Sequence, residues 1–212
     1  KAIIRLERAI QNNEKILVYG DYDVDGTTAV SIVYSFLLTL PEIADKGQIE
    51  FYIPDRYSEG YGISFQGIDY AQANNFTLII ALDCGIKSID KVAYANERAV
   101  DFIICDHHRP GDTLPDAIAV LDPKREDCFY PFDELCGCGV GFKLVQAYSQ
   151  KNNIPFSELE QYLDLTAISI ASDLVPIVGE NRILCYFRLQ QVNKTPRKGR
   201  KAKPCSAASS SS

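Results

Sequence analysis

The sequence predicts an α/β fold with a doubly wound, mainly parallel sheet, helices on both faces and a helical C-terminal portion. Short apolar runs alternate with helical periodicity along the first 122 residues, as in chains that form parallel sheets. The run at 77–83, "TLIIALD", is apolar without alternation, which is typical of a strand buried on both faces. Aspartates follow most of the apolar runs, where open α/β sheets bind ligands.

The strands are predicted from short apolar segments bounded by turn residues. "KILVYG" opens the series and "IEFYIP" follows it, while "DFIICD" and "AIAVLD" come after the fully apolar run. The five predicted strands are 15–20, 49–54, 77–83, 101–106 and 117–122.

The helices are predicted from apolar residues at helical spacing. Ser88 precedes one such segment and is a plausible N-cap. After the last strand the chain becomes continuously helical. The predicted helices are 27–40, 64–75, 88–99, 139–151, 156–172 and 180–192.

The chain of 212 residues is long enough for one well-packed domain, which we expect over 1–192. Residues 193–212 have no periodicity and end in serines, so we expect a disordered tail or a truncation or cloning remnant. Because the chain begins with Lys1 and contains no methionine, we expect it to be a piece of a longer protein.

Composition and charge narrow the class of protein. No apolar run approaches the ~18 residues of a membrane helix, and seven scattered cysteines without framework spacing indicate a reducing, cytoplasmic environment. All 28 acidic residues precede Asn181 but eight of the 22 basic residues follow it, so residues 1–181 carry a net charge of −14. An acidic body matches polyanions poorly unless cations neutralise its carboxylates.

Carboxylates cluster where the predicted strands end. "GDYDVDG" follows the first strand, and the third, fourth and fifth strands end at Asp83, Asp106 and Asp122. The chain's two histidines, His107 and His108, follow the fourth strand. So many carboxylates on one edge repel each other unless cations lie between them. Oxygen and imidazole ligands favour Mn²⁺ or Mg²⁺, with one histidine free to contact the substrate.

Two other interpretations of "GDYDVDGTT" can be compared with this one. An EF-hand loop starting at Asp21 needs a glutamate at its twelfth position, where this chain has Ile32, so that interpretation fails. "DVDGT" also resembles the first motif of haloacid-dehalogenase-type phosphatases, in which Asp23 would be the nucleophile. That alternative leaves the two histidines without a task, but it stays open at this point.

Four motifs in order resemble those of the DHH phosphoesterase superfamily: "DYDVDG" (21–26), "LDCG" (82–85), "DHH" (106–108) and "ASDLVP" (171–176). Flanking segments such as "DRYSEGYGIS", "CGVGFKL" and "ASDLVPIVGENR" are similar to the catalytic core of its RecJ-like, single-stranded-DNA-specific exonucleases. The resemblance covers roughly residues 1–193. It implies 5′-to-3′ release of mononucleotides from single-stranded DNA, in DNA repair and recombination.

The resemblance also implies two divalent cations, Mn²⁺ or Mg²⁺, that assist phosphodiester hydrolysis. By matching motif positions, Asp23 serves one ion, Asp25 the other, and Asp83 bridges both. His107 and Asp173 complete the second site. The remaining implied roles are Asp21 as a further ligand or its neighbour, His108 as the phosphate contact, and Asp106 as the group that orients the histidine ligand.

Further residues are candidates for binding phosphate or DNA. The glycine-rich segment 136–144 precedes a helix, where free N–H groups such as that of Gly139 could hold a phosphate, or could simply allow a tight turn. Aromatic and basic side chains can stack on bases and pair with phosphates. These candidates are Arg56, Tyr61, Arg109, Asn181 and Arg182, with bracing of the helix as the alternative for the last two.

The resemblance further implies a downstream DHH-associated domain and an OB-fold, which these residues do not include. It implies a single-strand-binding protein and a helicase as partners, and we expect a monomer. Two alternatives therefore accompany the exonuclease hypothesis. One is a DHH-type phosphodiesterase or pyrophosphatase acting on small nucleotides, and the other is an inactive fragment that binds metal.

Overall fold

The computed structural model describes residues 1–44 and 46–194, with side chains to residue 186. Five parallel strands form one sheet in the order β2-β1-β3-β4-β5. The strands are β1 Lys15–Gly20, β2 Ile49–Tyr52, β3 Phe76–Leu82, β4 Asp101–Cys105 and β5 Ala119–Leu121. The predicted fold class and all five strands are confirmed.

Seven α-helices lie among the described residues. They are α1 Ala2–Gln11, α2 Val24–Leu38, α3 Phe65–Ala73, α4 Ile89–Asn96, α5 Gly137–Lys151, α6 Leu163–Ser172 and α7 Gly179–Lys194. Ser88 is at the N-cap position of α4, as predicted, but its side chain makes no capping hydrogen bond. Residues 195–212, most of the predicted tail, lie outside the described residues.

Alternating strand side chains fill two separate hydrophobic cores, one on each face of the sheet. Ile16 and Val18 of β1 pack in the larger core with residues of α1, α2, α5 and α6. Leu17 and Tyr19 face the opposite side and pack with residues of α3 and α4. Successive side chains of a strand point to opposite faces of the sheet, and here both faces are buried. The strands are therefore apolar without interruption.

Two helical predictions need correction. Helix α1 was not predicted, although Leu6, Ala9 and Ile10 bury at helical spacing. The predicted helix 156–172 is instead two 3₁₀ turns, Phe156–Glu158 and Glu160–Tyr162, followed by α6. The 3₁₀ turns also repeat after three residues, so the same apolar spacing fits both conformations. Among the described residues, no helix is long and apolar enough to cross a membrane.

Candidate metal centre

The turn after β1 places three aspartates at the carboxyl edge of the sheet. Asp21 is buried, and its two oxygens accept hydrogen bonds from the backbone N–H groups of Tyr22 (2.7 Å) and Gly62 (2.8 Å). Asp23 caps α2 by accepting from the Gly26 N–H at 2.8 Å. Because this cap forms at Asp23, α2 begins three residues before its predicted start.

Asp25 lies in the first turn of α2 and is almost fully buried. Its Oδ2 accepts a hydrogen bond from the Gly137 N–H and its Oδ1 one from the Cys138 N–H, both at 2.7 Å. The Ser169 hydroxyl also donates to Oδ1. The carboxylate is thus held by the N-terminus of α5 and by one side chain of α6.

Asp83 follows β3 in the left-handed region, with φ at 59°, which is uncommon for a residue other than glycine. Its side chain is 1% exposed, and neither carboxylate oxygen has a hydrogen-bond partner among the described residues. Burial raises the pKa of Asp83 to about 11, and the nearby carboxylate of Asp25 adds to the shift. Strained backbone and buried, unpaired polar atoms are features that cluster at functional sites.

The ring of His107 faces three carboxylates. Its Nε2 lies 3.2 Å from Oδ1 of Asp83, 3.6 Å from Oδ2 of Asp25 and 3.6 Å from Oδ2 of Asp173. Burial lowers the pKa of His107, which favours the neutral imidazole that binds metals. Neither ring nitrogen has a hydrogen-bond partner in the part of the chain that the structure describes.

Two overlapping groups of side chains could hold a metal ion. One consists of Asp83, His107 and His108, the other of Asp25, His107 and Asp173, and the ligand atoms within each group lie within 4.8 Å of one another. Burial raises the pKa of Asp173 to about 6, with a further contribution from Asp25, and its Oδ2 lacks a partner among the described residues. Unpaired carboxylate oxygens around a neutral imidazole suit a divalent cation such as Mn²⁺.

Comparison with known proteins identifies the family of this chain. Residues 15–170 match the family described as "DHH family, N-terminal domain". This chain belongs to the DHH family. The haloacid-dehalogenase alternative is therefore wrong.

Relatives in this family include single-stranded-DNA-specific exonucleases named RecJ. The one from Bacillus subtilis (strain 168) is 42% identical over 201 residues, which is 95% of this chain but 24% of that relative. The one from Escherichia coli (strain K12) is 34% identical over 201 residues, covering 91% of this chain and 34% of that protein. The chain thus spans about a quarter to a third of the length of these curated relatives.

Solved structures with the same fold include two RecJ proteins in complex with manganese. One, an exonuclease RecJ bound to manganese, superposes with a TM-score of 0.79 at 30% identity, over 91% of this chain and 47% of that one. The other, RecJ of Thermus thermophilus with Mn²⁺, has a TM-score of 0.75 at 27% identity, over 92% of this chain and 27% of that one.

The third DHH-family motif contains a hydrogen bond that sequence reasoning assigned to the wrong ring. Asp106 is buried, and its Oδ1 lies 2.7 Å from Nδ1 of His108. From His107 it accepts only the backbone N–H, so it does not orient that ring as predicted. Although burial opposes the change, the hydrogen bond from His108 lowers the pKa of Asp106, and the same bond raises the pKa of His108. The turn after β4 brings Nδ1 of His108 close to the carboxylate of Asp106.

Two of the predicted metal ligands lie outside both metal-binding groups. Both carboxylate oxygens of Asp21 accept hydrogen bonds from backbone N–H groups. Asp23 uses one oxygen as the helix cap, and its other oxygen accepts from the Tyr61 hydroxyl at 3.2 Å. It is still near enough to contribute to the raised pKa of Asp83.

The predicted phosphate contact at Gly139 needs correction. Its N–H is buried and donates to Sγ of Cys136 at 3.3 Å, and the two preceding N–H groups bind Asp25. The N-terminus of α5 therefore holds an anion, but that anion is the chain's own carboxylate. Asn181 is also buried, and its amide donates to the backbone oxygens of Glu134 and Pro176, so it braces the chain.

The other predicted DNA contacts are on the surface. Arg109 and Arg182 are exposed. Arg56 is exposed too, with its guanidinium 4.6 Å from the centre of the Tyr22 ring. The edge of Tyr61 meets that ring at 5.6 Å between centroids. Basic and aromatic side chains thus lie next to the turn after β1.

Sequence reasoning missed the residues that hold Asp25. Gly137, Cys138 and Ser169 are all buried, and they lie more than 110 residues along the chain from the aspartate. The glycine-rich segment 136–144 predicted an anion-binding site, but it did not indicate that the anion would be the side chain of Asp25. Nothing in the sequence pattern marked Ser169.

Proposed function

We propose that this chain is the metal-dependent catalytic core of a single-stranded-DNA exonuclease that hydrolyses phosphodiester bonds with two divalent cations. The observation that carries the proposal is Asp83, a buried carboxylate with two unpaired oxygens, 3.2 Å from a neutral imidazole. Such an arrangement is unfavourable unless a cation occupies it. The RecJ relatives act on single-stranded DNA by name and two solved ones contain manganese, which supports both substrate and metal.

Five residues would hold the two ions. Asp23 would bind one and Asp25 the other, Asp83 would bridge them, and His107 and Asp173 would complete the second site. Two divalent cations held by these residues would supply an activated water and electrostatic stabilisation of the reacting phosphate. The chain's contribution is to hold these ligands close together before the substrate arrives.

His108 is suited to bind the phosphate. Its ring is 42% exposed while its partner Asp106 is buried, so the outer part of the ring faces the open side of the site. Because the raised pKa of His108 favours the charged imidazolium, the ring can donate a charge-assisted hydrogen bond to a phosphate oxygen. Asp106 keeps the ring in one orientation.

The surface around the site would guide a single strand. Tyr61 can stack on an unpaired base, and Arg56, Arg109 and Arg182 can pair with phosphates. By family resemblance the strand is degraded 5′ to 3′ in DNA repair and recombination, with a single-strand-binding protein and a helicase as partners. We place the protein in the cytoplasm as a monomer.

A DHH-type phosphodiesterase or pyrophosphatase for small nucleotides is the second candidate. The charge of −14 on residues 1–181 favours it, because an acidic body repels a long polyanion more than a short one. An inactive fragment that binds metal is the outcome if neither substrate is cleaved.

A strand-cleavage assay tests these alternatives. The chain is incubated with Mn²⁺ and a 5′-labelled single strand, a blunt duplex, a dinucleotide or pyrophosphate, with EDTA as the control. We expect labelled mononucleotide from the single strand only. Cleavage confined to the dinucleotide or pyrophosphate would support the second candidate, and an intact single strand in Mn²⁺ would refute exonuclease activity of this chain.

A further inference from the structure

Asp25 is held more tightly than the other carboxylates of the candidate metal centre. Three donors converge on it: two backbone N–H groups of α5 and the hydroxyl of Ser169. Asp83, by contrast, accepts no hydrogen bond from the described residues. Ser169 is fully buried on α6 and has no other task in the proposed function.

The three donors leave Asp25 one free direction. A carboxylate has about four lone-pair directions. The Cys138 N–H and the Ser169 hydroxyl use those of Oδ1, and the Gly137 N–H uses one of Oδ2. The remaining direction belongs to Oδ2, the oxygen that lies 3.6 Å from Nε2 of His107. The donors therefore turn a single lone pair toward the metal-binding group.

A cysteine completes the arrangement around Ser169. Sγ of Cys136 lies 3.1 Å from the serine hydroxyl and accepts the Gly139 N–H. The hydroxyl has one hydrogen, and the carboxylate is a stronger acceptor than a thiol. When the Ser169 hydrogen goes to Asp25, the Cys136 thiol, which is protonated at neutral pH, can in turn donate to the serine oxygen. The thiol thus supports the orientation in which Ser169 donates to Asp25.

We propose that Ser169 is a positioning residue that fixes Asp25 for cation binding. This role rests on the proposed function, since it concerns a ligand of the same metal centre. Groups that orient metal ligands typically change metal affinity about 10- to 100-fold when they are removed.

The test compares Mn²⁺ affinity of Ser169→Ala with that of Ser149→Ala. Ser149 is a matched control, because it is equally buried and its hydroxyl has no hydrogen-bond partner among the described residues. We expect the Mn²⁺ dissociation constant, measured by titration of the metal-free protein, to rise about 10- to 100-fold for Ser169→Ala. It should stay at the wild-type value for Ser149→Ala.

Nuclease activity provides a second readout. Activity of Ser169→Ala should recover when Mn²⁺ is raised above the new dissociation constant, whereas the KM for DNA should not change. Ser169→Cys, kept reduced because Cys136 lies beside it, replaces the hydroxyl with a larger and weaker donor, so its affinity should lie between those of wild type and Ser169→Ala. If Ser169→Ala does not fold, the cysteine variant decides the question.

The outcomes separate the two proposals. Wild-type affinity in Ser169→Ala, or in Ser169→Cys if only that variant folds, would overturn the positioning role and leave the proposed function intact. An equal loss in Ser149→Ala would also overturn it, since the effect would then be one of packing. A wild-type chain that binds no Mn²⁺ would overturn both.

Discussion

Buried ionisable side chains at the two ends of the sheet differ in whether they have partners. At the amino end, the buried Arg5 guanidinium lies 2.5 Å from Asp101 and 2.7 Å from Glu14. At the carboxyl end, Asp83 and the ring of His107 are equally buried but have no hydrogen-bond partner among the described residues. At the amino end Arg5 is a cationic partner for two carboxylates, whereas Asp83 has no lysine or arginine partner among the described residues.

The direction of the pKa shifts follows this difference. Although burial opposes it, hydrogen bonds from Thr77 and Arg5 lower the pKa of Glu14. Burial and neighbouring carboxylates raise that of Asp83. Burial alone therefore does not distinguish a structural from a functional carboxylate. The presence or absence of a partner cation does, and the following predictions test that distinction.

The largest effect is expected for Asp83→Asn. The bridging charge is lost, and since a metal ion supplies several kcal/mol of transition-state stabilisation, turnover should fall at least about 1000-fold. Because Asp83 must take up a proton to be buried without metal, the neutral amide should also raise the melting temperature of the metal-free protein. Single-turnover cleavage and thermal unfolding in EDTA measure the two effects.

Asp122→Asn is the matched control for that variant. Asp122 is 3% exposed, follows β5 at the same edge of the sheet and also has an unpaired oxygen among the described residues, but it lies outside both metal-binding groups. The Asp122→Asn variant should bind Mn²⁺ and turn over substrate like wild type. If both variants lose activity equally, the carboxyl edge does not act through the groups assigned here.

At the amino end, Arg5→Met should affect stability and not metal binding. Removing one partner of a buried ion pair leaves uncompensated charge and costs about 3–5 kcal/mol in the free energy of unfolding. Arg8→Met is the control, because Arg8 is exposed and meets the same Asp101 at 3.3 Å, a contact worth at most about 1 kcal/mol. Urea unfolding measures both, and weakened Mn²⁺ binding in folded Arg5→Met would contradict the separation of the two ends.

The sequence predicted the carboxyl end of the sheet well because its information is local. Apolar runs end in aspartates, and parallel strands bring their carboxyl ends to one edge, so Asp83 and His107 had to lie close together. The amino end was not predicted at all. Its cluster depends on α1, whose apolar residues alternate with charged ones, and on contacts of Arg5 with residues up to 96 positions away.

For a similar reason, the sequence did not predict which hydrogen-bond partners the side chains of the site would have. Asp106 could have held either histidine ring, and the geometry of one turn selected His108. The three hydrogen bonds that Asp25 accepts depend on how α5 and α6 pack against α2. Ser169 is 144 residues away from Asp25, and no periodicity relates them.

A smaller effect is expected from the close approach of α5 to the metal centre. A Cβ added at Gly137 would lie 2.4 Å from Oδ1 of Asp83, whereas one at Gly139 would meet its neighbours at 3.4 Å or more. Gly137→Ala should therefore displace Asp83 or the α5 N–H groups and weaken Mn²⁺ binding about 10- to 100-fold. Gly139→Ala should bind Mn²⁺ like wild type, and equal affinity in both variants would show that this contact is unimportant.

A difference in pH dependence between the two ends is also expected. Asp173 and Asp83 have folded pKa values of about 6 and about 11, above the ~3.9 of an unfolded aspartate. Between these values the folded protein binds more protons, so without metal its stability falls as the pH rises through 4 to 8. The lowered pKa of Glu14 has the opposite sign: its contribution is present above the unfolded value of ~4.3 and is lost in acid.

Urea unfolding in EDTA from pH 4.5 to 8 measures this dependence. Asp83 alone contributes a downward slope of at most about 1.4 kcal/mol per pH unit, and His107, whose pKa burial lowers, opposes part of it below about pH 6.5. Saturating Mn²⁺ should abolish the decline, because the cation replaces the protons, and Asp83→Asn should flatten it without metal. If the wild type and Asp83→Asn have the same slope in EDTA, the raised pKa of Asp83 is not the source of the decline, and its burial does not depend on a cation.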